Sequence, residues 1–360
     1  MATLKETGIK PTATPIEIRD RRDQTPPPQR SSEKPRISIV QYHPALELIV
    51  GPNPTHALIL SSAETSAKPF FHRGCIYISS RNELWTTSAP LETSDPTRPP
   101  EILMSKVIVT YNSADDTLTT EWAKLRPPPK MPMPASGCAV GGDRMVWCSQ
   151  GTIVPETGGV FFMPAGRPPQ AVASTYYGRD FNSPHSAAIS PRDDGIWFTD
   201  PCCGHEQEFR SPPQLPPQIY RCDAKTGEVR AMADGFVRPT GIAIDEDSST
   251  LYVADAGGVR VDGSLDLIQR MFALARRGAP MHLMCENGNV WAACGDGIEI
   301  WNSDGSLLGV IQVPGSSPGG VLSFCRGPED TLYVCAEQRL WRLQLSGSRG
   351  DYSVASPELL

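Results

Sequence analysis

A hairpin-like unit recurs along this chain, and that recurrence limits the fold more than any other feature. The unit is clearest at two places. A turn with proline opens it, at Ser183-Pro184 and at Arg238-Pro239. A small apolar run follows, at 187–189 and 241–244, and then an acidic turn, at 192–195 and 245–248. Each unit closes on a β-type run that ends in aspartate, Ile196-Trp197-Phe198-Thr199-Asp200 and Leu251-Tyr252-Val253-Ala254-Asp255. Strand, acidic turn, strand is a hairpin. Its return after about 50 residues is the spacing of propeller blades.

Six such units can be placed. Beside these two, they pair 69–72 with 75–78, 137–140 with 144–148, 282–285 with 289–293, and 321–324 with 331–335. Further candidate strands follow, as in 218–221, 297–301 and 338–343. Four short strands per unit around a ring make a β-propeller. The expected fold class is therefore all-β, a six-bladed β-propeller over residues 37–346. Residues 1–36 are polar and Pro-rich and read as a disordered leader, and 347–360 as a C-terminal tail. The runs 46–50 and 56–60 read as strands. Residues 265–275 carry a helical pattern, or else a strand followed by a loop. A helical solenoid is excluded because helical periodicity is nearly absent.

Charge and composition narrow the function. Lys+Arg number 33 against Asp+Glu 40, a net charge of -7, which speaks against a nucleic-acid surface. No apolar run approaches the ~20 residues of a membrane span, and the first residues lack a secretory apolar core. The expectation is a soluble cytoplasmic protein without a nucleic-acid or membrane partner. The oligomeric state is left open. The ten cysteines are scattered through strands and read as small core residues. Cys202-Cys203 lacks zinc spacing and reads as a loop position rather than a thiolate paired with His205. No phosphate loop and no Gly-x-Ser-x-Gly elbow is present.

Several stretches together resemble the gluconolactonase/regucalcin family, in its fungal lactonase-like branch. They are Phe198-Thr199-Asp200-Pro201, residues 213–221, Thr226-Gly227-Glu228-Val229, residues 233–243, and residues 294–301 with 305–309. The resemblance is good from about Phe181 to Leu345 and weaker from Glu64 to Cys148. It implies six blades and one divalent metal, commonly calcium, at the channel mouth, where the metal polarises a lactone carbonyl. The implied ligands are a Glu before the first blade and Asn and Asp residues in turns before innermost strands.

Carried over residue by residue, those positions have changed chemistry. The Glu falls at Glu64. Ser136-Gly137 stands where the family has Asn-Gly, and His185-Ser186 where it has Asn-Asp. Pro239-Thr240-Gly241 replaces Pro-Asn-Gly, and Pro280-Met281-His282 replaces Pro-Asp-Gly. Calcium takes ~6–8 oxygen ligands, and Met281 offers a thioether that hard cations avoid. The expectation is no bound metal and no cofactor, with a zinc site from Glu64, His185 and His282 as the other option.

The expected catalytic residues are His185, as general base or hydrogen-bond donor, and Glu64, orienting it. Otherwise His185 fills the space of a lost metal and Glu64 is a solvated turn carboxylate. Ser136, Thr240, Met281 and His282 are the expected substrate contacts. Ser136 and Thr240 offer hydroxyls unless they are small polar fillers. Met281 suits an apolar ligand. Asp200 and Asp255, in equivalent positions, read as structural, and Trp147, Trp197 and Trp291 as core. The leading functional reading is a lactonase-like hydrolase acting on a lactone or ester, a small polyketide-like molecule, in fungal secondary-metabolite biosynthesis. A metal-independent cyclase or isomerase using His185 as acid/base, and a non-catalytic binding propeller, are the alternatives.

Overall fold

A computed structural model describes residues 4–7, 13–21, 36–93, 99–112, 117–258, 279–295, 297–314 and 320–345. Among the described residues six sheets follow one another around an axis, each built on an antiparallel inner hairpin, and a seventh is the small pair Thr175–Tyr176 with Arg179–Asp180. The first blade runs outward from Arg73–Ile78 through Glu83–Thr87 and Met104–Asn112 to Thr117–Leu125. The second comprises Pro134–Ala139, Arg144–Ser149, Gly159–Pro164 and Gln170–Ala173, and the third Ala187–Ile189, Ile196–Asp200, Gln218–Cys222 and Val229–Ala233. The fourth is described as its inner hairpin, Pro239–Ile244 and Leu251–Asp255. The fifth holds His282–Glu286, Asn289–Cys294, Gly297–Asn302 and Leu307–Gln312. Each innermost strand packs on the innermost strand of the next blade, and that of the sixth, Ser323–Arg326, packs on Arg73–Ile78. The structure is a six-bladed β-propeller.

The ring closes by main-chain bonding between chain ends. In the sixth blade Ser323–Arg326, Thr331–Ala336 and Arg339–Gln344 come late in the chain, while the next strand out, Thr55–Ser61, comes early. That pairing leaves no open sheet edge at the joint.

The core lies between blades rather than along the axis. Trp291, Phe324 and Trp341 fill the space between the fifth and sixth. Phe71, Trp122 and Tyr333 fill it between the sixth and first, and Ile76, Trp85 and Trp147 between the first and second. Trp147 and Trp291 are 0% exposed, as core residues should be, while Trp197 is half-buried. Gly74 exists because of this packing. Its φ is +66, and a Cβ there would lie 2.9 Å from Trp147 Cζ3. The hairpin turns obey local chemistry: Asn287 and Gly288 both take positive φ (51 and 69), the pattern of a type I′ turn.

Two stretches depart from the sequence expectations. Leu46–Val50 is a short α-helix, not a strand. Pro44 precedes it, and Leu46 and Val50, one helical turn apart, are both buried in the core. The leader is not without structure where it is described. Thr14–Pro15 pairs with Thr55–Ser61, and Glu17–Asp20 runs parallel to Ser38–Gln41 at the outer edge of the fifth blade. Ile16, 6% exposed, and Ile18 anchor this segment to the core. Leu4–Thr7 adds a further strand beside Thr117–Leu125. The helical pattern at 265–275 and the tail at 347–360 lie outside the described residues.

Candidate functional site at the propeller mouth

The innermost strands begin at one end of the axis, so their first residues converge there. The third blade brings His185, 2% exposed, held by its N–H to Thr199 O at 3.0 Å. Its Nδ1 lies 2.8 Å from the carbonyl oxygen of Thr240 in the fourth blade. Its Nε2 meets Nη1 of Arg73 in the first. A carbonyl can only accept and a guanidinium can only donate. His185 is therefore neutral, with its proton on Nδ1 and its one lone pair turned to Arg73. Burial, then the Arg73 charge, hold its pKa well below the usual histidine range.

Beside Arg73 lies a second pair. His72 Nδ1 is 2.7 Å from Glu337 Oε2, and Glu337 is 7% exposed. The carboxylate accepts, so Nδ1 carries the proton and Nε2 is left as a lone pair. Burial lowers the His72 pKa, and the Glu337 bond partly offsets it. Glu337 sits in the turn between Thr331–Ala336 and Arg339–Gln344, where its carbonyl takes the Phe71 N–H at 3.0 Å.

The expected site residues fare unequally. His185 and Thr240 are joined directly. The Thr240 hydroxyl turns to backbone oxygens, 3.3 Å from Pro280 O and 3.4 Å from Ala254 O. Ser136 is 5% exposed, and its Oγ is buried without a partner. Met281 is half-buried, its N–H bonded to Ala293 O at 2.9 Å. His282 packs edge-on to Phe324 at 5.0 Å, and burial pushes its pKa down to about 4. Glu64 is the correction. It is exposed in the turn beyond Thr55–Ser61, and the first-blade side chain that reaches His185 is Arg73. His72, Arg73 and Glu337 escaped the sequence reading. The signal was available: His72 and Arg73 stand just before Cys75, as His185 stands just before Ala187.

Loops over the mouth are held firmly. Asp200 accepts the N–H of Asn182 at 2.9 Å and of Ser183 at 2.7 Å. Asp255 accepts those of Val237 at 2.9 Å and Arg238 at 2.7 Å, so the two aspartates are structural clasps. Arg210 donates to the carbonyls of Asn182, Thr152 and Phe181. Cys203 is 4% exposed and burial pushes its thiol up to about 11. His205 is exposed, its Nδ1 3.5 Å from Arg210 O, so no Cys203–His205 dyad forms.

These side chains do not fit calcium. Among the described residues no three His, Cys, Asp or Glu are grouped to hold a metal. Glu337 is the carboxylate bonded at the mouth and is engaged by His72, the Thr240 carbonyl is engaged by His185, and a guanidinium lies between them. A hard cation needs several free oxygens and no competing positive charge.

The SMP-30/gluconolactonase/LRE-like region matches residues 102–338, more than half of the chain. The protein belongs to the SMP-30/gluconolactonase family. It is 26% identical over 241 residues to a gluconolactonase of Zymomonas mobilis, a match covering 58% of this chain and 63% of that one. It is 26% identical over 228 residues to the lactonohydrolase oryL of Aspergillus oryzae, covering 61% and 47%. The match thus spans less than two thirds of either relative's length. Among solved structures, a gluconolactonase from Xanthomonas campestris superimposes with TM-score 0.64 at 20% identity, covering 95% of this chain and 100% of that one. A luciferin-regenerating enzyme does so with TM-score 0.52 at 14% identity, covering 82% and 98%. These structures bear on the fold alone.

Proposed function

We propose that this member of the gluconolactonase family hydrolyses a lactone or ester at the axial mouth. The observation that carries the reading is the His72–Glu337 pair beside Arg73. Glu337 fixes the His72 tautomer and leaves Nε2 as a base. Its lowered pKa keeps it neutral, and so able to accept a proton, at pH 7. Water gives its proton to His72 Nε2 and adds to the carbonyl carbon. The acyl–oxygen bond then breaks, and His72 returns the proton to the departing oxygen. His185, its lone pair committed to Arg73, positions that guanidinium rather than moving protons. A secondary-metabolite lactone as substrate is proposed with it on the sequence resemblance, and a cytoplasmic setting on the sequence's lack of a secretory apolar core. No described helix is long and apolar enough to cross a membrane.

Hydrolysis is tested with a panel of γ- and δ-lactones in the presence of a chelator. His72→Gln should lower kcat/KM by ~10²–10⁴-fold, the usual contribution of a general base, with Glu64→Gln at the wild-type rate. Equal rates for His72→Gln and wild type would remove the base. A second reading follows from the same Nε2, which can equally take a proton from carbon, giving cyclisation or isomerisation. Reaction in ¹⁸O-labelled water separates them: hydrolysis places one label in the product acid and isomerisation none. Saturable binding without turnover would leave a binding propeller.

A further inference from the structure

The family's calcium and the side chains at this mouth disagree, and the disagreement has a direction. The first-blade position at the axis carries its own positive charge. Arg73 has five N–H donors, yet its hydrogen-bond partner among the described residues is the neutral ring of His185. Its Nε is buried with no partner. Glu337 is close enough to act on its charge but is bonded to His72. Two more unpartnered groups belong to the same mouth. One is Ser136 Oγ, and the other is Nε of Arg238, whose charge also reaches Arg73. Arg238 is tied through Nη2 to Glu206 at 2.8 Å. A buried charge whose neighbouring carboxylate is bonded elsewhere is costly, and the planar guanidinium fork matches a carboxylate.

We infer that this mouth is an anion site. The free edge of Arg73, with Arg238 and the Ser136 hydroxyl, takes the carboxylate of a small organic acid where the family resemblance expects a divalent cation. In one respect this rests on the hydrolase reading: the acid bound is then the ring-opened product, and the same N–H groups hold the oxyanion of the preceding adduct.

Acetate serves as the probe, with the full chain. The thermal midpoint of the wild type should rise saturably with sodium acetate. It should not rise with acetamide, nor with calcium chloride at matched ionic strength. In spectra of ¹⁵N-arginine-labelled protein the Nε–H signal lost in Arg73→Lys should shift with acetate. Arg73→Gln should weaken acetate binding by roughly 10–100-fold, the range for a charge-assisted hydrogen bond. Should the variants fail to fold, the wild-type contrast among acetate, acetamide and calcium decides alone. No acetate response, an equal response to acetamide, or stronger stabilisation by calcium would overturn the anion site. Lactone turnover without acetate binding removes this inference and keeps hydrolysis. Acetate binding without turnover removes hydrolysis and keeps the anion site.

Discussion

Arg73, His185 and the Thr240 carbonyl form a relay of donor and acceptor in which each partner dictates the state of the next. The histidine is neutral because an arginine and a carbonyl leave it no other choice. Burial also lowers the pKa of His56, His72 and His282. In the unfolded chain these rings titrate near ~6.5. Between that value and their lowered folded values, the unfolded state binds protons that the native state refuses. Stability is therefore lost as pH falls. Asp200 opposes this. Burial pushes it up to about 7, so its native form holds a proton that the unfolded form has released, which favours the fold at acid pH. The histidines together outweigh it. The urea midpoint should fall between pH 7 and pH 5, and an unchanged or higher midpoint at pH 5 would contradict the assignment of neutral buried rings. His72 and Arg73 were missed for a residue-scale reason. Their place at a strand entrance was legible, but their chemistry comes from Glu337 and His185, and nothing adjacent in sequence announces either partner.

At the scale of elements, the blade hairpins repeat a device as well as a shape. Each of Asp200 and Asp255 ends a second strand and receives two consecutive backbone N–H groups from the loop that leads into its own blade. The clasp fixes the entry of the innermost strand, and with it the placing of His185 and Thr240. Asp200→Ala strands two buried N–H groups at a cost of about 1–3 kcal/mol each. Asp255→Ala should cost less, because Asp255 is only half-buried whereas Asp200 is 0% exposed. Denaturant midpoints rank the two, and the reverse order would refute the clasp argument. These clasps were legible from the matching positions of the aspartates. The helix at Leu46–Val50 was not, because a five-residue apolar run suits either state until neighbours bury Leu46 and Val50 together.

For the molecule as a whole, the joint in the sixth blade matters most. Thr55–Ser61 bonds to Arg339–Gln344, so early residues are needed to finish a sheet built from late ones. A chain lacking residues 1–62 should expose that edge, aggregate on size-exclusion chromatography and lose its near-ultraviolet dichroism. A chain lacking residues 1–12 should retain both a monodisperse peak and the dichroism. A monodisperse, native-like product from the longer deletion would show that the joint does not hold the ring. The joint also makes the site, since it sets Glu337 against His72 across 265 positions of sequence.

The amino-acid order alone determined the blade repeat, the hairpins with their acidic and Asn-Gly turns, the burial of Trp147 and Trp291 and the place of His185 at a strand entrance. All of these depend on periods of two and on turn chemistry within a few residues. Only the closed ring decided that Arg73 meets His185 while Glu64 stays exposed, that His185 is a neutral acceptor, and that Glu337 orients His72. Those outcomes depend on which distant side chains share one desolvated mouth, and burial and charge there act through space rather than along the chain.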